Sequence, residues 1–446
     1  MNKGKLKVRC TGLHESGKGM VRIKGKEYLV SNLLEGETAI VEMKRTKHKT
    51  FVNLIRIEKE SKDRVKPPCV YYGTCGGCQL QHMSTEAQDH FKQKLVENLL
   101  GSYCKVNKII TMKEPYYYRN KVLSTFSFDK KRQIISGIYQ EDTHRVVDID
   151  RCLIHDRKAD EIIETIKGMM KSFKMQPFDE DTGHGFLRHV LIKRGFATNQ
   201  VMVVLVTSTK IFPGKNNFIK ALRKAHPEIS TMIMNINKRR TSVVLGNEEI
   251  VLYGKGYIED ILCGVKFQIS AKSFYQVNPI QTEILYNKGI ELAKLKGNET
   301  VIDAYCGIGT ISLIVSKKVK KVIGVELNKD AVKDAIRNAK NNNINNAEFY
   351  KDDAGDFMVK LANENKKIDV VIMDPPRAGS DEKFLSSIVK LSPKKVVYVS
   401  CNPVTMKRDL QYLTKKGYKV KEIQPVDMFP QTGHVETVVL MSRVDE

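Results

Sequence analysis

Residues Val301–Thr310 read VIDAYCGIGT. An apolar strand runs into Asp303, a Gly-x-Gly turn follows at Gly307 and Gly309, and a helix opens near Thr310. Glycines at such a turn let the backbone approach a ligand closely and leave helix amides free to meet it. A full dinucleotide fingerprint carries a third glycine where Ser312 stands here. The next strand, KKVIGVEL, ends in Glu326, a carboxylate placed to accept hydrogen bonds from both hydroxyls of a ribose. NAD and S-adenosylmethionine both satisfy these features.

Downstream, apolar strands (AEFYKDD, IDVVIMD, KVVYVSC) alternate with amphipathic helices, which predicts a parallel sheet with helices on both faces. Asp352 and Asp353 end the third strand, Asp374-Pro375-Pro376-Arg377 the fourth, and Ser400-Cys401-Asn402-Pro403 the fifth. Open α/β sheets bind ligands at the carboxyl ends of their strands. Each acid alone is as readily a helix cap or a solvated turn; together they make one rim. YKVKEIQPVDMF and HVETVVLMSRV close the chain as a strand pair, the habit of methyltransferases, which favours S-adenosylmethionine.

Upstream, residues 5–58 show short alternating runs broken at Gly17, Gly19, Gly25 and Gly36, the pattern of a small OB-like β-barrel. The charged stretch 59–68, ending in Pro67-Pro68, reads as a linker. A helix is predicted over 85–100, with Thr85 as its cap and Phe91, Leu95 and Leu99 as its apolar face. Residues 115–270 mix strands and helices as an α+β region. The expected organisation is multidomain: a barrel over 1–60, a central α+β domain over 61–273, and a Rossmann-like α/β catalytic domain over 274–446. The helix near 85–101 is expected to pack on the catalytic domain.

The chain of 446 residues has 75 Lys and Arg against 51 Asp and Glu, a net charge of +24. Residues 1–68 hold 17 of the basic residues and 8 of the acidic ones. A surplus of this size points to a polyanion such as RNA rather than to plain solubility. No apolar run approaches a membrane span and the N-terminus lacks a signal core. A cytoplasmic protein without a membrane partner, acting as a monomer, is expected.

Of nine cysteines, Cys69, Cys75 and Cys78 cluster, and Cys152 is available as a fourth. An odd count in a cytosolic chain argues against a disulfide framework. Four thiolates suit either Zn²⁺ or a [4Fe–4S] cluster, and generic spacing does not choose. The pair Gly76-Gly77 relieves crowding around a bulky cube, which leans toward iron.

Cys401 follows an apolar strand and so lies on the ligand rim. A thiolate there explains a methyl transfer to carbon 5 of uracil: sulfur adds to carbon 6, carbon 5 becomes nucleophilic, and a base then removes its proton. Glu436 is the candidate base and His434 the runner-up. Arg377 and the helix beginning near Val404 are expected to raise the thiolate fraction.

These segments (DAYCGIGT, DPPRAG, VSCNP, TGHVETV and SFYQVN) resemble the signatures of the RNA uracil-5-methyltransferase family. The resemblance implies Cys401 as nucleophile, Glu436 as base, and Gln276, Tyr305, Glu326, Asp353 and Asp374 at the S-adenosylmethionine site. It also implies Phe274, Gln276 and Asp374 beside the target base. Tyr118-Arg119-Asn120-Lys121 resembles a family segment too, with Arg119 read as an RNA contact. Gly12, Gly17-Lys18-Gly19 and the Leu34–Glu37 turn resemble the RNA-binding TRAM barrel. The cysteine pattern resembles the branch acting on 23S ribosomal RNA and implies [4Fe–4S] at Cys69, Cys75, Cys78 and Cys152. A tRNA substrate is the alternative, and a non-catalytic RNA chaperone the alternative from another class. A cytosine-5 enzyme would place cysteine where Arg377 stands, an exocyclic-amine enzyme an aromatic after the prolines, and a radical enzyme a Cys-x3-Cys-x2-Cys run.

Overall fold

The computed structural model describes residues 5–45, 50–141, 143–241 and 243–444. Basic residues of the expected barrel at 1–4 and 46–49 lie outside the described residues. The first region is an antiparallel sheet of β1 (Lys5–Leu13), β2 (Gly19–Ile23), β3 (Lys26–Val30), β4 (Thr38–Arg45) and β5 (Thr50–Lys59), in the order β3-β2-β1-β4-β5. Its edge strands β3 and β5 approach each other, so the sheet curls around Val8, Cys10, Val21, Val30, Ala39 and Val41. Alternation along β1 and β4 sends every second side chain inward. A bulge between Cys10 and Gly12 sharpens the curl. Gly19 tolerates no side chain: a Cβ there would sit 2.5 Å from the Leu33 carbonyl oxygen and 2.8 Å from Cys10 Sγ.

The stretch 59–68 is no free linker. Arg64 forks onto Glu37, with Nε–Oε1 at 2.6 Å and Nη2–Oε2 at 2.7 Å, and its Nη2 also donates to the Asn32 carbonyl at 2.8 Å. Charges that read as solvated in sequence are tethers to the curled sheet. Helix α1 (Thr85–Leu100) is capped by Ser84, not Thr85: the Ser84 hydroxyl accepts from the Ala87 amide at 3.2 Å. Its buried face is Gln88, Phe91, Lys92, Val96 and Leu100 rather than Phe91, Leu95 and Leu99. The two polar residues are buried because their partners lie across the contact. Lys92 meets Asp427 at 2.6 Å, and Gln88 meets the Gln431 side chain at 3.1 Å. The helix therefore packs on the C-terminal region.

The central region is a mixed sheet of β6 (Lys121–Phe128), β7 (Ile134–Tyr139), β8 (Val146–Asp148), β9 (Leu187–Arg194), β10 (Val201–Thr207), β11 (Ile229–Ile236) and β12 (Glu248–Tyr253), ordered β12-β11-β10-β9-β6-β7-β8. Helices α2 (Arg157–Met169) and α3 (Lys215–Ala225) cover one face. The β10 run VMVVLVT is buried throughout because both faces are covered. Val201, Val203 and Leu205 meet the helices, while Met202, Val204 and Val206 enter a core shared with the C-terminal region. The hairpin β13 (Tyr257–Leu262) and β14 (Val265–Ser270) joins that core.

The C-terminal region holds α4 (Pro279–Ala293), β15 (Thr300–Ala304), α5 (Thr310–Val315), β16 (Lys321–Glu326), α6 (Lys329–Asn341), β17 (Ala347–Lys351), α7 (Ala354–Asn363), β18 (Val370–Met373), α8 (Glu382–Leu391), β19 (Lys395–Ser400), α9 (Pro403–Thr414), β20 (Tyr418–Val426) and β21 (Glu436–Arg443). The sheet order is β17-β16-β15-β18-β19-β21-β20. The first five strands are parallel and β21 runs antiparallel to both its neighbours. The reversal beside β19 is the closing strand pair expected from the sequence. No helix among the described residues is long and apolar enough to cross a membrane.

Candidate active site

The carboxyl ends of β15 to β19 form one rim, on which Tyr305, Glu326, Asp353, Asp374 and Cys401 sit. The turn after β15 is tight. Tyr305 adopts φ +66°, Gly307 +55° and Gly309 +82°, and a positive φ at a bulky tyrosine is costly. At Gly309 a Cβ would lie 3.1 Å from the Phe349 ring. The Tyr305 ring packs on Phe384, centroids 5.0 Å apart. Glu326 closes the turn, its Oε2 accepting from the Gly307 amide at 3.1 Å and its Oε1 from the Asn328 amide at 2.8 Å. Asp353 caps α7 by accepting from the Asp356 amide at 3.1 Å. Gln276 is held by its backbone: the Asn120 side chain donates to its carbonyl at 3.0 Å, and the Asn120 amide donates to the Val277 carbonyl at 2.8 Å. Beside it Phe274 is 64% exposed, a large ring with nothing covering it.

Asp303 escaped attention in the sequence. It is buried, its Oδ2 accepts from the Ser312 hydroxyl at 2.5 Å, and its Oδ1 has no hydrogen-bond partner among the described residues. Burial pushes its carboxyl up to about 7. The available signal was Ser312 in the third-glycine place, one helical turn into α5 and able to reach back.

Cys401, Glu436 and Asp374 converge where the sheet reverses. Ser400 pairs with Thr437 across β19 and β21, so the next step sets Cys401 opposite Glu436. Asp374 follows β18 on the other side of β19. Burial raises the Asp374 carboxyl to about 7, with Asp303 adding to the effect. Burial and then Asp374 hold the Glu436 carboxyl well above the usual carboxylate range. The Cys401 thiol is pushed up to about 11 by burial, then by Glu436 and Asp374, against the opposing pull of Arg377. Arg377 does act in the expected direction, but partial burial and the two carboxyls outweigh it, so the net shift is opposite to the one expected. His434 is no cation either, since burial and then Arg377 push it down to about 4.

A cavity of about 240 Å³ opens in front of Cys401, lined among others by Glu15, Ser16, Gln79, Arg377 and His434. The curled N-terminal sheet thus reaches the mouth of the site. Arg119 lies on the same side, close enough to repel a charge on His434. Its neighbours are struts rather than a solvated turn: Tyr118 donates its hydroxyl to the Pro430 carbonyl at 2.9 Å, and Asn120 anchors Gln276.

Cys69, Cys75, Cys78 and Cys152 come together around one small, mostly apolar cavity with Ile138 and Ile149. Burial pushes the Cys78 thiol up to about 12, with the other three adding to it. Cys152, though buried, is drawn below the usual thiol range by His155, whose Nδ1 lies 2.8 Å from Asp160 Oδ1. Among the described residues no group of three or more His, Cys, Asp or Glu is arranged to hold a metal ion. Gly76 has its own reason, because a Cβ would lie 3.2 Å from the backbone of Tyr139 and Glu141. Only Gly77 faces a sulfur, with its amide donating to Cys75 Sγ at 3.3 Å.

Comparison with known proteins agrees with this geometry. Residues 86–444 match the family model described as tRNA (Uracil-5-)-methyltransferase. An uncharacterized RNA methyltransferase of Bacillus cereus is 43% identical over 440 residues, covering 97% of this chain and 95% of the relative. One of Caldanaerobacter subterraneus is 43% identical over 454 residues and covers both chains completely. Among solved structures, the Pyrococcus abyssi tRNA (uracil-54, C5)-methyltransferase in complex with S-adenosyl-L-homocysteine superposes with a TM-score of 0.80 at 29% identity, covering 98% of this chain and all of that one. The likeness extends over the N-terminal sheet as well, so that sheet by itself does not separate ribosomal from transfer RNA. The chain belongs to the RNA uracil-5-methyltransferase family.

Proposed function

We propose that this protein methylates carbon 5 of a uracil in RNA through a covalent bond between Cys401 and carbon 6. The carrying observation is the placement of Cys401 opposite Glu436 across the β19–β21 reversal, with Asp374 on the adjoining strand end. Bound S-adenosylmethionine supplies an electrophilic methyl on a positive sulfonium, a charge that favours the ionised forms of nearby acids. Gln276, Tyr305, Glu326, Asp353 and Asp374 would hold it along the rim. Cys401 gives up its thiol proton and its sulfur adds to carbon 6; carbon 5 takes the methyl, leaving neutral S-adenosylhomocysteine. Glu436 then removes the carbon 5 proton as the sulfur–carbon bond breaks and returns the sulfur to Cys401. Phe274, Gln276 and Asp374 would flank the flipped uracil, with Arg119 on the RNA backbone.

The basic N-terminal sheet is proposed as a TRAM-like RNA-binding module. The cysteine cavity is proposed as a [4Fe–4S] site, on four cysteines lining one small apolar cavity that would have to draw together, since as they stand no three of them are arranged to hold a metal; its part would be structural, since the reaction transfers no electrons. Iron and acid-labile sulfide in anaerobically purified protein, both lost in Cys78→Ser, would support it; zinc or no metal would remove it. Large-subunit 23S ribosomal RNA is the proposed substrate, on the cysteine pattern. Transfer RNA is the second reading, favoured by the full-length likeness to the Pyrococcus enzyme.

Cys401→Ala should abolish methylation and leave RNA binding intact. Glu436→Gln should trap an RNA–protein adduct on a denaturing gel. Turnover by Cys401→Ala would sink the nucleophile, and absence of the adduct would sink the base. Mapping 5-methyluridine by mass spectrometry in both RNA classes from a deletion strain decides the substrate.

A further inference from the structure

A second cavity, of about 580 Å³, lies on the central sheet away from Cys401. Its walls carry the rings of Phe128, Tyr139, His144 and Phe178. Tyr139 and His144 stand edge to face, centroids 5.7 Å apart. The guanidinium of Arg188 lies over Phe178, 4.6 Å from its centroid, and that of Arg132 over Phe128 at 4.5 Å. Arg188 is 2% exposed, and four acceptors hold its terminal nitrogens: Glu180 and the carbonyls of Asn237, Arg239 and Thr241. Its Nε has no partner among the described residues. Held through its terminal nitrogens, the guanidinium is a fixed, flat part of the cavity wall.

The rim charge narrows the ligand. Asp129, Asp179, Glu180 and Asp181 outnumber Arg132 and Arg188, in a chain whose net charge is +24. Acids repel phosphate and accept hydrogen bonds from N–H donors. Four rings and two stacked guanidinium planes suit a flat heteroaromatic group, and the volume falls in the range of small-ligand sites.

Position ties the cavity to the reaction. On paired strands β6 and β9, Lys121 faces Lys193, Leu123 faces Leu191 and Thr125 faces His189. Lys193 donates to the carbonyls of Ser270 at 2.8 Å and Ser273 at 2.7 Å, in the loop leading to Phe274 and Gln276. Thr125 and His189 line the second cavity and touch at 3.1 Å. Four residues along a strand span about 13 Å, which a few nucleotides of single strand bridge.

We infer that this cavity receives a second unpaired nucleobase of the substrate RNA, one bearing an exocyclic amine, a short way along the strand from the target uridine. The inference rests on the RNA reading above, but its test needs no methylation. Fluorescein-labelled oligo(A), oligo(C), oligo(U) and an abasic strand of equal length are titrated with the full chain and followed by anisotropy. Phe178→Ala should weaken oligo(A) and oligo(C) about 5- to 150-fold, the worth of one base–aromatic stack, and oligo(U), which the Cys401 site also takes, by less. The abasic strand, bound through phosphates alone, should be unchanged. Phe128→Ala on the opposite wall should repeat the pattern, and thermal unfolding checks that each variant is folded. Equal loss on the abasic strand in a folded variant, no loss on oligo(A), or an equal loss on oligo(U) would each overturn the inference. Loss of methylation with these binding differences intact would fault the catalytic reading instead.

Discussion

Replacing Lys92 by methionine removes one half of a dry ion pair. The side chain of Lys92 is 0% exposed and that of its partner Asp427 5%, with Nζ and Oδ1 2.6 Å apart. Lys92 also donates to the Phe429 carbonyl at 3.1 Å, while Asp427 Oδ1 accepts from the Phe429 amide at 3.2 Å. Breaking such a pair strands a charge away from water and costs about 3–5 kcal/mol, whereas exchanging both partners for apolar residues of similar size is near neutral. Lys92→Met and Asp427→Leu should therefore each lower the unfolding free energy by about 3–5 kcal/mol, and the double variant should recover most of that loss. Urea titrations of the four proteins at one pH and salt concentration, followed by circular dichroism, give the cycle. Single losses under about 1 kcal/mol, the worth of an exposed pair, or a double variant whose losses simply add, would refute the claim that this pair docks α1 onto the C-terminal region.

Alkylation of Cys401 by iodoacetamide, followed by mass spectrometry, should stay slow near neutral pH and rise with pH toward about 11; a plateau near the ordinary thiol value of about 8.5 would contradict the burial argument. Asp303 has a folded-state pKa raised to about 7, so the unfolded chain ionises first and stability falls between about pH 4 and 7. Relative to Asp303→Asn the wild type should lose about 4 kcal/mol over that window, and a difference flat in pH would refute it. RNA affinity should drop about 10³- to 10⁵-fold between 50 and 200 mM salt if six to ten phosphates are contacted; a flat response would remove the basic surface from binding.

The strand–helix alternation from Val301 onward was legible because it is local: each strand's apolar run and each cap lie within a few residues of one another. The rim of Glu326, Asp353, Asp374 and Cys401 followed from it, since parallel strands place all their carboxyl ends on one edge. What the sequence hid depends on distant partners. Lys92 and Gln88 look solvent-facing until residues more than 330 positions away meet them. Arg64 reads as linker charge until Glu37 closes on it. Ser84 and Thr85 are equally good caps by type, and only the chain path chooses. The net ionisation of Cys401 was hidden for the same reason: Arg377, near in the motif, does pull the thiol down, but burial and Glu436, brought alongside by the antiparallel register of β21, push it up further.

That register has a consequence for how the site is switched on. Asp303 and Asp374 sit at the ends of the adjacent strands β15 and β18, Glu436 stands across β19 on β21, and each raises the next. In the protein alone both the candidate nucleophile and the candidate base are pushed toward their protonated forms, and Arg377 acts against this at Cys401. A positive charge bound along the rim works in the same direction as Arg377 on Cys401 and Glu436 at once. Reactivity at Cys401 should then follow the charge of the bound donor rather than its shape. A donor analogue with an ammonium in place of the sulfonium should speed alkylation of Cys401 at pH 8, while neutral S-adenosylhomocysteine should not. Equal effects of the two would show that these carboxyls do not gate the thiol, and the proton would have to be removed by the incoming RNA instead.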